Sequence, residues 1–232
     1  MSLATRDTTL RELMDDPACD PEILRATLRR FDTINRLVSG WGRVYRSRIR
    51  PYLASLDRPA RVLDLGCGGG DVVTHLARHA ARDGLDVEWV GADPDPRAIE
   101  VAIARGAWRA RFACTDSTAL LDAGERFDLV LSNHVLHHLT PTELTRFADE
   151  SRRLSRGLVL HGDIERGRTA YALYAIGITP FAPGTFLRTD GLRSIRRSYR
   201  GGELAASLGQ PWRVVRPAWF RVLAEATGCA DD

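Results

Sequence analysis

Between residues 61 and 163 of this chain, short apolar runs alternate with amphipathic segments. Short apolar runs are predicted as strands, and the amphipathic segments between them are predicted as helices. The apolar runs are RVLDL, VEWVGAD, ARFACTD, FDLVLSN and GLVLHGD. Such alternation with short loops is typical of a parallel sheet that carries helices on both faces.

The first 57 residues carry helical periodicity instead. Asp20 followed by Pro21 is typical of a capped helix start, and Gly40 is expected to end that helix. A second apolar stripe follows the glycine. We therefore expect residues 1–57 to form a helical lid and residues 58–232 to form the main domain.

The pattern changes again after the fifth predicted strand. Residues 164–189 are apolar but interrupted by glycine and proline, so we expect an insertion near the ligand side. The segment TDGLRSIRRSYRGGELAASLG is predicted as one helix or a pair of helices. The segment WRVVRPAWFRVLAEA is predicted as a hairpin around Pro217, and its strands would close the sheet in the antiparallel sense.

Composition adds limits on the class of protein. With 232 residues, 44% hydrophobic and 27% charged, the chain resembles an ordinary globular protein with one sizeable domain and an appendage. It has no apolar run long enough to cross a membrane and no signal-like start, so we expect no membrane partner and a cytoplasmic location. The net charge of +3 is spread along the chain, so no nucleic-acid partner is expected. The four cysteines lack metal-ligand spacing, so no metal is expected.

Glycine is concentrated directly after the first predicted strand, in the sequence RVLDLGCGGGDVVTHLA. Gly66 and Gly68 allow a tight turn and a close ligand approach, at the strand end where such sheets bind ligands. The dinucleotide fingerprint G-x-G-x-x-G fails, because Asp71 stands at the last glycine position. Asp64, inside the strand, disfavours a pyrophosphate. The loop therefore predicts a nucleoside-like ligand that carries positive charge or several donors.

The segment VLDLGCGGGDV resembles motif I of the class I S-adenosylmethionine-dependent methyltransferases, an acidic residue and an apolar residue followed by G-x-G-x-G. VGADPDPRAIEVA resembles the second strand of that family, ACTDS the third, and FDLVLSNHVLHHL the fourth. The four motifs occur in order over roughly residues 60–163. The resemblance implies a Rossmann-like, doubly wound α/β fold. This fold has a mostly parallel seven-stranded sheet, an antiparallel C-terminal hairpin and an N-terminal helical lid.

The same resemblance implies S-adenosylmethionine as the cofactor and assigns residues to it. Asp64 would lie near the methionine moiety, and Asp93 would accept hydrogen bonds from the ribose hydroxyls. Asp116 or Ser117 would lie near the adenine. A looser similarity to the lid of quinone-biosynthesis methyltransferases implies that Arg43 would bind the carboxylate group of the cofactor. The other residues expected to contact the cofactor are Gly66, Cys67, Gly68, Pro94 and Asn133.

Histidines are the candidates for removing a proton from a phenol or enol acceptor. His134, directly after the fourth strand, is the first candidate. His137 or His138 is the second, although both lie in a segment that the family uses for packing. His161, at the fifth strand, is the third. A mechanism without a protein base stays open.

These features predict methyl transfer to a small aromatic, quinone-like or polyketide acceptor, on oxygen rather than carbon, in secondary metabolism. The acceptor pocket is expected between the lid and residues 164–189, where Tyr171, Tyr174, Ile178 and Phe181 stand. The alternatives are methylation of a protein or nucleic acid, and cofactor binding without catalysis. A nicotinamide oxidoreductase is disfavoured by the glycine spacing. The oligomeric state, monomer or homodimer, stays open.

Overall fold

The structure is a computed structural model that describes residues 3–106 and 109–229. Among these residues seven strands form one sheet in the order β3-β2-β1-β4-β5-β7-β6. The strands are β1 (Ala60–Leu65), β2 (Val87–Asp93), β3 (Ala110–Cys114), β4 (Phe127–Asn133), β5 (Ser155–Ile164), β6 (Arg213–Val215) and β7 (Arg221–Thr227). Strands β1 to β5 are parallel, and β7 runs antiparallel to both β5 and β6. The predicted mostly parallel seven-stranded sheet with its antiparallel hairpin is confirmed.

Helices cover the two faces of the sheet. They are α1 (Pro21–Val38), α2 (Trp41–Val44), α3 (Arg50–Ala54), α4 (Asp71–Arg82), α5 (Pro96–Arg105), α6 (Ser117–Asp122), α7 (Pro141–Leu154), α8 (Arg168–Gly177), α9 (Leu187–Arg197) and α10 (Gly201–Leu208). A π-helical segment covers Tyr45–Ile49, and 3-10 turns cover Leu136–His138 and Thr179–Phe181. Asp20 caps α1 by accepting hydrogen bonds from the N–H groups of Glu22 and Ile23, as predicted.

The N-terminal region differs from the helical prediction in its first part. Residues 3–19 contain no helix. Some of their backbone N–H groups make local turns, and others bond to distant segments. Asp190 accepts hydrogen bonds from the N–H groups of Leu13 and Met14, and the N–H of Asp7 bonds to the carbonyl of Arg196. These long-range partners replace the local bonds that a helix would make.

The region after Gly40 packs into the main core. Trp41, Tyr45 and Ile49 are buried against one face of the sheet together with Trp89. By contrast, Leu24 and Leu28 of α1 form a separate small apolar cluster with Ala98 and Val101 of α5. The region before residue 57 therefore packs in two places, against the face of the sheet and against α5. The division of the chain at residue 57 stays a prediction.

The predicted helix pair and hairpin of the C-terminal part are present as α9 with α10 and as β6 with β7. Residues 164–189 form the end of β5, α8, a 3-10 turn and the first residues of α9. In the part of the chain that the structure describes, no helix combines the length and the apolar character that a bilayer crossing requires.

Strand order reverses beside β1, because β2 lies on one side of it and β4 on the other. Open parallel sheets bind ligands at the carboxyl ends of the strands at such a switch point. The glycine loop follows β1, Asp93 ends β2 and Asn133 ends β4. The fold therefore brings three predicted motifs to one edge of the sheet.

Candidate functional site

A cavity of about 460 Å³ lies at this edge of the sheet. Its polar wall comes from the glycine loop and the ends of β2 and β4, and its other walls come from α1, α8, α9 and the start of β7. Predicted cofactor residues that line it are Asp64, Gly66, Cys67, Gly68, Asp93, Pro94 and Asn133. The structure thus brings seven of the ten predicted cofactor residues to one cavity.

Asp64 is a buried carboxylate, only 2% exposed, at the bottom of this cavity. Its Oδ1 has no hydrogen-bond partner among the described residues. Burial raises the pKa of Asp64 well above its usual value, and the neighbouring carboxylates of Asp71 and Asp93 raise it further. A buried carboxyl oxygen without a partner is costly, so the arrangement suits a ligand that brings a cation or a donor.

The glycine loop has the left-handed backbone that the sequence implied. Gly66 has φ +71°, and a Cβ there would lie 2.6 Å from Cγ2 of Val135. Gly68 has φ +51°, but a Cβ there would meet nothing closer than Cδ2 of Leu28 at 3.9 Å. The first glycine is therefore required by packing within the protein. The second leaves open space on the cavity side, where a ligand can approach the backbone.

Asp93 is held in place by the loop that it faces. One carboxyl oxygen accepts a hydrogen bond from the N–H of Gly68 at 2.8 Å, and the other accepts one from the N–H of Asp95 at 2.9 Å. Each carboxylate oxygen can accept a second hydrogen bond. Asp93 is therefore oriented before any ligand binds and keeps capacity for two more donors, such as adjacent hydroxyls.

Three predicted cofactor residues do not line the cavity. Asp116 caps α6 by accepting a hydrogen bond from the N–H of Ala119 at 2.9 Å, and the Ser117 hydroxyl donates to Glu150. Arg43 is exposed and donates to the carbonyl of Pro217. Each side chain thus has a partner within the protein, and the cofactor contacts expected of them stay predictions.

His134, the first candidate base, does line the cavity. Its Nε2 lies 2.7 Å from Nη1 of Arg221. Because a guanidinium can only donate, Nε2 must be the unprotonated nitrogen, and the neutral ring carries its proton on Nδ1. Burial lowers the pKa of His134 to about 3, and the positive charge of Arg221 contributes to the shift. Its basic nitrogen is thus already occupied within the protein.

His137 lies between two carboxylates. Its Nδ1 is 2.8 Å from Oδ1 of Asp163, and its Nε2 is 3.1 Å from Oε1 of Glu12. Burial alone would lower the pKa of His137, but the two carboxylates raise it to about 9. His137 is therefore an imidazolium near neutral pH, and in that form it has no lone pair for an acceptor proton.

The remaining histidines differ in position. His138 lines the cavity and its Nδ1 lies 3.2 Å from Oδ2 of Asp15. His161 does not line it. Its Nδ1 lies 2.8 Å from the hydroxyl of Ser132, its ring stacks on Trp212, and burial lowers its pKa to about 3. The structure therefore separates the third candidate base from the cavity.

Within residues 3–106 and 109–229, two groups of side chains have donor atoms close enough to share a metal ion. Glu12, His137 and His138 form one group, and His134, His137 and Asp163 form the other, with the donor atoms of each group within 4.8 Å of one another. Both groups contain His137, whose two nitrogens already bond to carboxylates. The expected absence of a metal stays a prediction.

Several cavity residues were outside the sequence prediction. Glu12 and Asp190 come from segments with no motif, and Arg221 comes from the predicted hairpin. Of the four apolar residues expected at the acceptor pocket, Tyr174 lines the cavity, and its hydroxyl donates to the carbonyl of Leu187. These residues are distant in sequence, and only the fold brings them together.

Comparison with known proteins supports the motif assignment. Residues 62–157 match the family model described as a methyltransferase domain. The ubiquinone biosynthesis O-methyltransferase of Brucella ovis is 36% identical over 120 residues, which are 50% of this chain and 46% of that protein. The protein of the same name from Mesorhizobium japonicum is 35% identical over 122 residues, with the same coverage. The chain spans about half the length of the curated relatives it matches.

Solved structures show the same fold at low identity. The CurJ carbon methyltransferase superposes with a TM-score of 0.63 at 15% identity, over 91% of this chain and 61% of that one. The plantazolicin methyltransferase BpumL, in complex with SAH, gives 0.61 at 13% identity, over 89% of this chain and 95% of that one. Residues 62–157 therefore match a methyltransferase domain, and the described residues have the Rossmann-like fold of solved methyltransferases.

Proposed function

We propose that this protein transfers a methyl group from S-adenosylmethionine to an oxygen atom of a small aromatic, quinone-like or polyketide acceptor. The observation that carries the proposal is the composition of one cavity. It joins the Asp64 carboxyl oxygen, which has no partner in the described part of the chain, and the oriented carboxylate of Asp93 to an apolar wall. A cofactor-binding end and an acceptor-binding end thus share one space.

The residues at the polar end fit the cofactor. Asp64 would hold the cationic amino group, because its buried Oδ1 lacks a partner among the described residues. Asp93 would accept the ribose hydroxyls, and the backbone at Gly68 would lie against the cofactor where the cavity is open. S-adenosylmethionine, when bound, supplies a methyl group on a positively charged sulfur. The methyl group is already activated, so the protein contributes chiefly by positioning the acceptor.

The apolar side chains of the cavity fit a small apolar acceptor. They include Phe31 and Ile34 of α1 with Ile164, Tyr174 and Leu187, whereas Leu28 of the same helix lies beside Gly68. A volume of about 460 Å³ lies within the range of small-molecule sites. The name of the Brucella ovis relative, a ubiquinone biosynthesis O-methyltransferase, supports a quinone-like acceptor and transfer to oxygen.

The proposal is tested by incubating the purified protein with S-adenosylmethionine and a panel of phenols and hydroquinones. Mass spectrometry detects the product in which methyl replaces one hydrogen of the acceptor, and chromatography measures the S-adenosylhomocysteine that forms with it. The fully methylated ether of each compound serves as its control, since it has no acceptor hydroxyl. We expect product from hydroxyl-bearing compounds and none from the ethers. Methylation only of added protein or RNA, or binding of the cofactor with no methylation at all, would contradict the proposal.

A further inference from the structure

Arg221 is a buried cation at the wall of the cavity. It is 6% exposed and is the first residue of β7, where its backbone pairs with Ile164 of β5. Its Nε donates to the carbonyl of Val38, the last residue of α1, at 2.9 Å. Its Nη1 donates to Nε2 of His134 at 2.7 Å. The guanidinium is thus fixed between the lid helix and the first candidate base.

The charge of Arg221 has no direct counterion among the described residues. The titratable groups that face it are His134 after β4, Asp163 on β5 and Tyr174 on α8, while α1 presents a carbonyl. Asp163 lies close enough to favour the cation, but its oxygens accept hydrogen bonds from His137 and from the N–H of Ile164. Burial lowers the pKa of Arg221 to about 10, so the group stays charged near neutral pH.

The third nitrogen of this guanidinium is available. Arg221 uses Nε and Nη1 for the two bonds above, and Nη2 has no hydrogen-bond partner among the residues described. A buried cation with a free donor is costly unless an anion pairs with it, and arginine pairs with planar oxyanions in preference to neutral groups.

The neighbouring histidine favours the same interpretation. Nε2 of His134 accepts the bond from Arg221, and Nδ1–H points toward Asp163, whose Oδ1 is 3.8 Å away. His134 therefore presents no free lone pair to an acceptor hydroxyl. His137, held between two carboxylates, presents none either. Neither of these two histidines can take a proton from the acceptor, whereas Arg221 beside them offers the acceptor oxygen a cationic donor.

We propose that Arg221 forms an oxyanion subsite, and that the acceptor binds there as a phenolate or enolate whose ionised oxygen pairs with the guanidinium. The proton of the hydroxyl is released to bulk water, so no side chain has to accept it. The subsite selects acceptors with an acidic hydroxyl on an apolar ring system. This inference rests on the proposed function, because it assumes that the apolar end of the cavity holds the acceptor.

The test uses para-nitrophenol as a probe, because only its phenolate is yellow. At a pH about one unit below its free pKa, roughly a tenth of the probe is ionised in solution. The protein, saturated with S-adenosylhomocysteine, is titrated into the probe while absorbance is followed. Equilibrium dialysis measures total binding of the probe and of para-nitroanisole, which cannot ionise. Calorimetry measures S-adenosylhomocysteine binding for every variant.

We expect the bound probe to be mainly phenolate and the anisole to bind at least about tenfold more weakly. Arg221→Gln should remove the preference for the phenolate, and Arg221→Lys should keep part of it, since charge remains without the planar fork. Arg153→Gln, which removes a mostly exposed arginine on α7, should behave as the unaltered protein.

The inference is overturned if the bound probe is neutral, if the anisole binds equally well, or if Arg221→Gln keeps the preference. It is also overturned if S-adenosylhomocysteine binds and the probe does not. Failure of S-adenosylhomocysteine to bind the unaltered protein is a different result, because it contradicts the proposed function itself.

Discussion

Oε1 of Glu12 lies 3.1 Å from Nε2 of His137 and links the irregular N-terminal segment to the turn after β4. The same oxygen accepts a hydrogen bond from the hydroxyl of Ser194 at 2.7 Å. Both residues of the pair are buried. The link therefore fixes one wall of the cavity to the sheet edge that carries the predicted cofactor residues.

We expect Glu12→Gln to destabilise the protein by about 1–3 kcal/mol, because it leaves a buried imidazolium with one counterion. Differential scanning calorimetry should show a lower Tm, by roughly 2–4 °C for each kcal/mol. Glu22→Gln, a change of the same type at an exposed position in the first turn of α1, is the control. Equal Tm values for the two variants would show that the buried pair does not stabilise the fold.

The charge of His137 also predicts a pH dependence. Its pKa in the folded protein is raised to about 9, above its usual value, so its stabilising contribution is complete below about pH 6.5 and is lost as pH rises through about 9. Unfolding experiments from about pH 6 to pH 10 should show this loss. His137→Gln should be less stable at neutral pH and should lose less stability over that window. Parallel curves for the two proteins would contradict the assignment of the charge.

Asp64 is expected to weaken the fold and to support binding. Its pKa is raised in the folded state, so the ionised carboxylate opposes folding at neutral pH. Asp64→Asn should therefore leave the Tm of the ligand-free protein unchanged or higher. Its affinity for S-adenosylmethionine should fall about tenfold or more, as expected for loss of a charge-assisted hydrogen bond.

Asp128 provides a matched control for Asp64. It is equally buried, but its carboxylate bonds to Arg58 and to the N–H of Arg61, and its pKa is lowered despite burial. Asp128→Asn should lower stability by about 1–3 kcal/mol and leave cofactor affinity unchanged. If both variants lose the same stability and the same affinity, Asp64 has no special role in binding.

The predicted contact between the cofactor and the glycine loop can be tested with alanine variants that separate the effect of backbone strain from that of a clash with the ligand. Gly68 and Gly84 both have left-handed backbones, with φ +51° and φ +70°, and neither would meet a protein atom closely as alanine. Each alanine variant should lose about 1–2 kcal/mol of stability. Of these two variants, only Gly68→Ala should lose cofactor affinity in calorimetric titration, because Gly68 lines the cavity and Gly84 does not. Equal affinities would place the cofactor away from the loop.

The polar end of the cavity was predictable because its residues lie in short local motifs. Asp64, Gly66 and Gly68 fall within five positions, and Asp93 ends the next strand. Parallel strands place such residues at one edge of the sheet whatever the rest of the chain does. The hairpin around Pro217 was likewise visible as apolar alternation on each side of a turn residue.

The rest of the cavity, where we propose that the acceptor binds, was less predictable, because it depends on long-range contacts. Helical periodicity suggested helix through residue 57, but residues 3–19 contain no helix and are held in part by hydrogen bonds to α9. Glu12 and Arg221 have no motif, and their roles come from partners that are distant in sequence. His161 lies near the carboxyl end of β5, as expected, but its side chain bonds to Ser132 in the core and does not line the cavity.

The central claim is that the cavity binds S-adenosylmethionine, and calorimetric titration of the purified protein tests it most directly. S-adenosylmethionine, S-adenosylhomocysteine and NAD are titrated in parallel under the same conditions. The account predicts that the first two bind with dissociation constants on the order of micromolar and that NAD does not bind. Binding of NAD alone, or binding of none of the three, would contradict it.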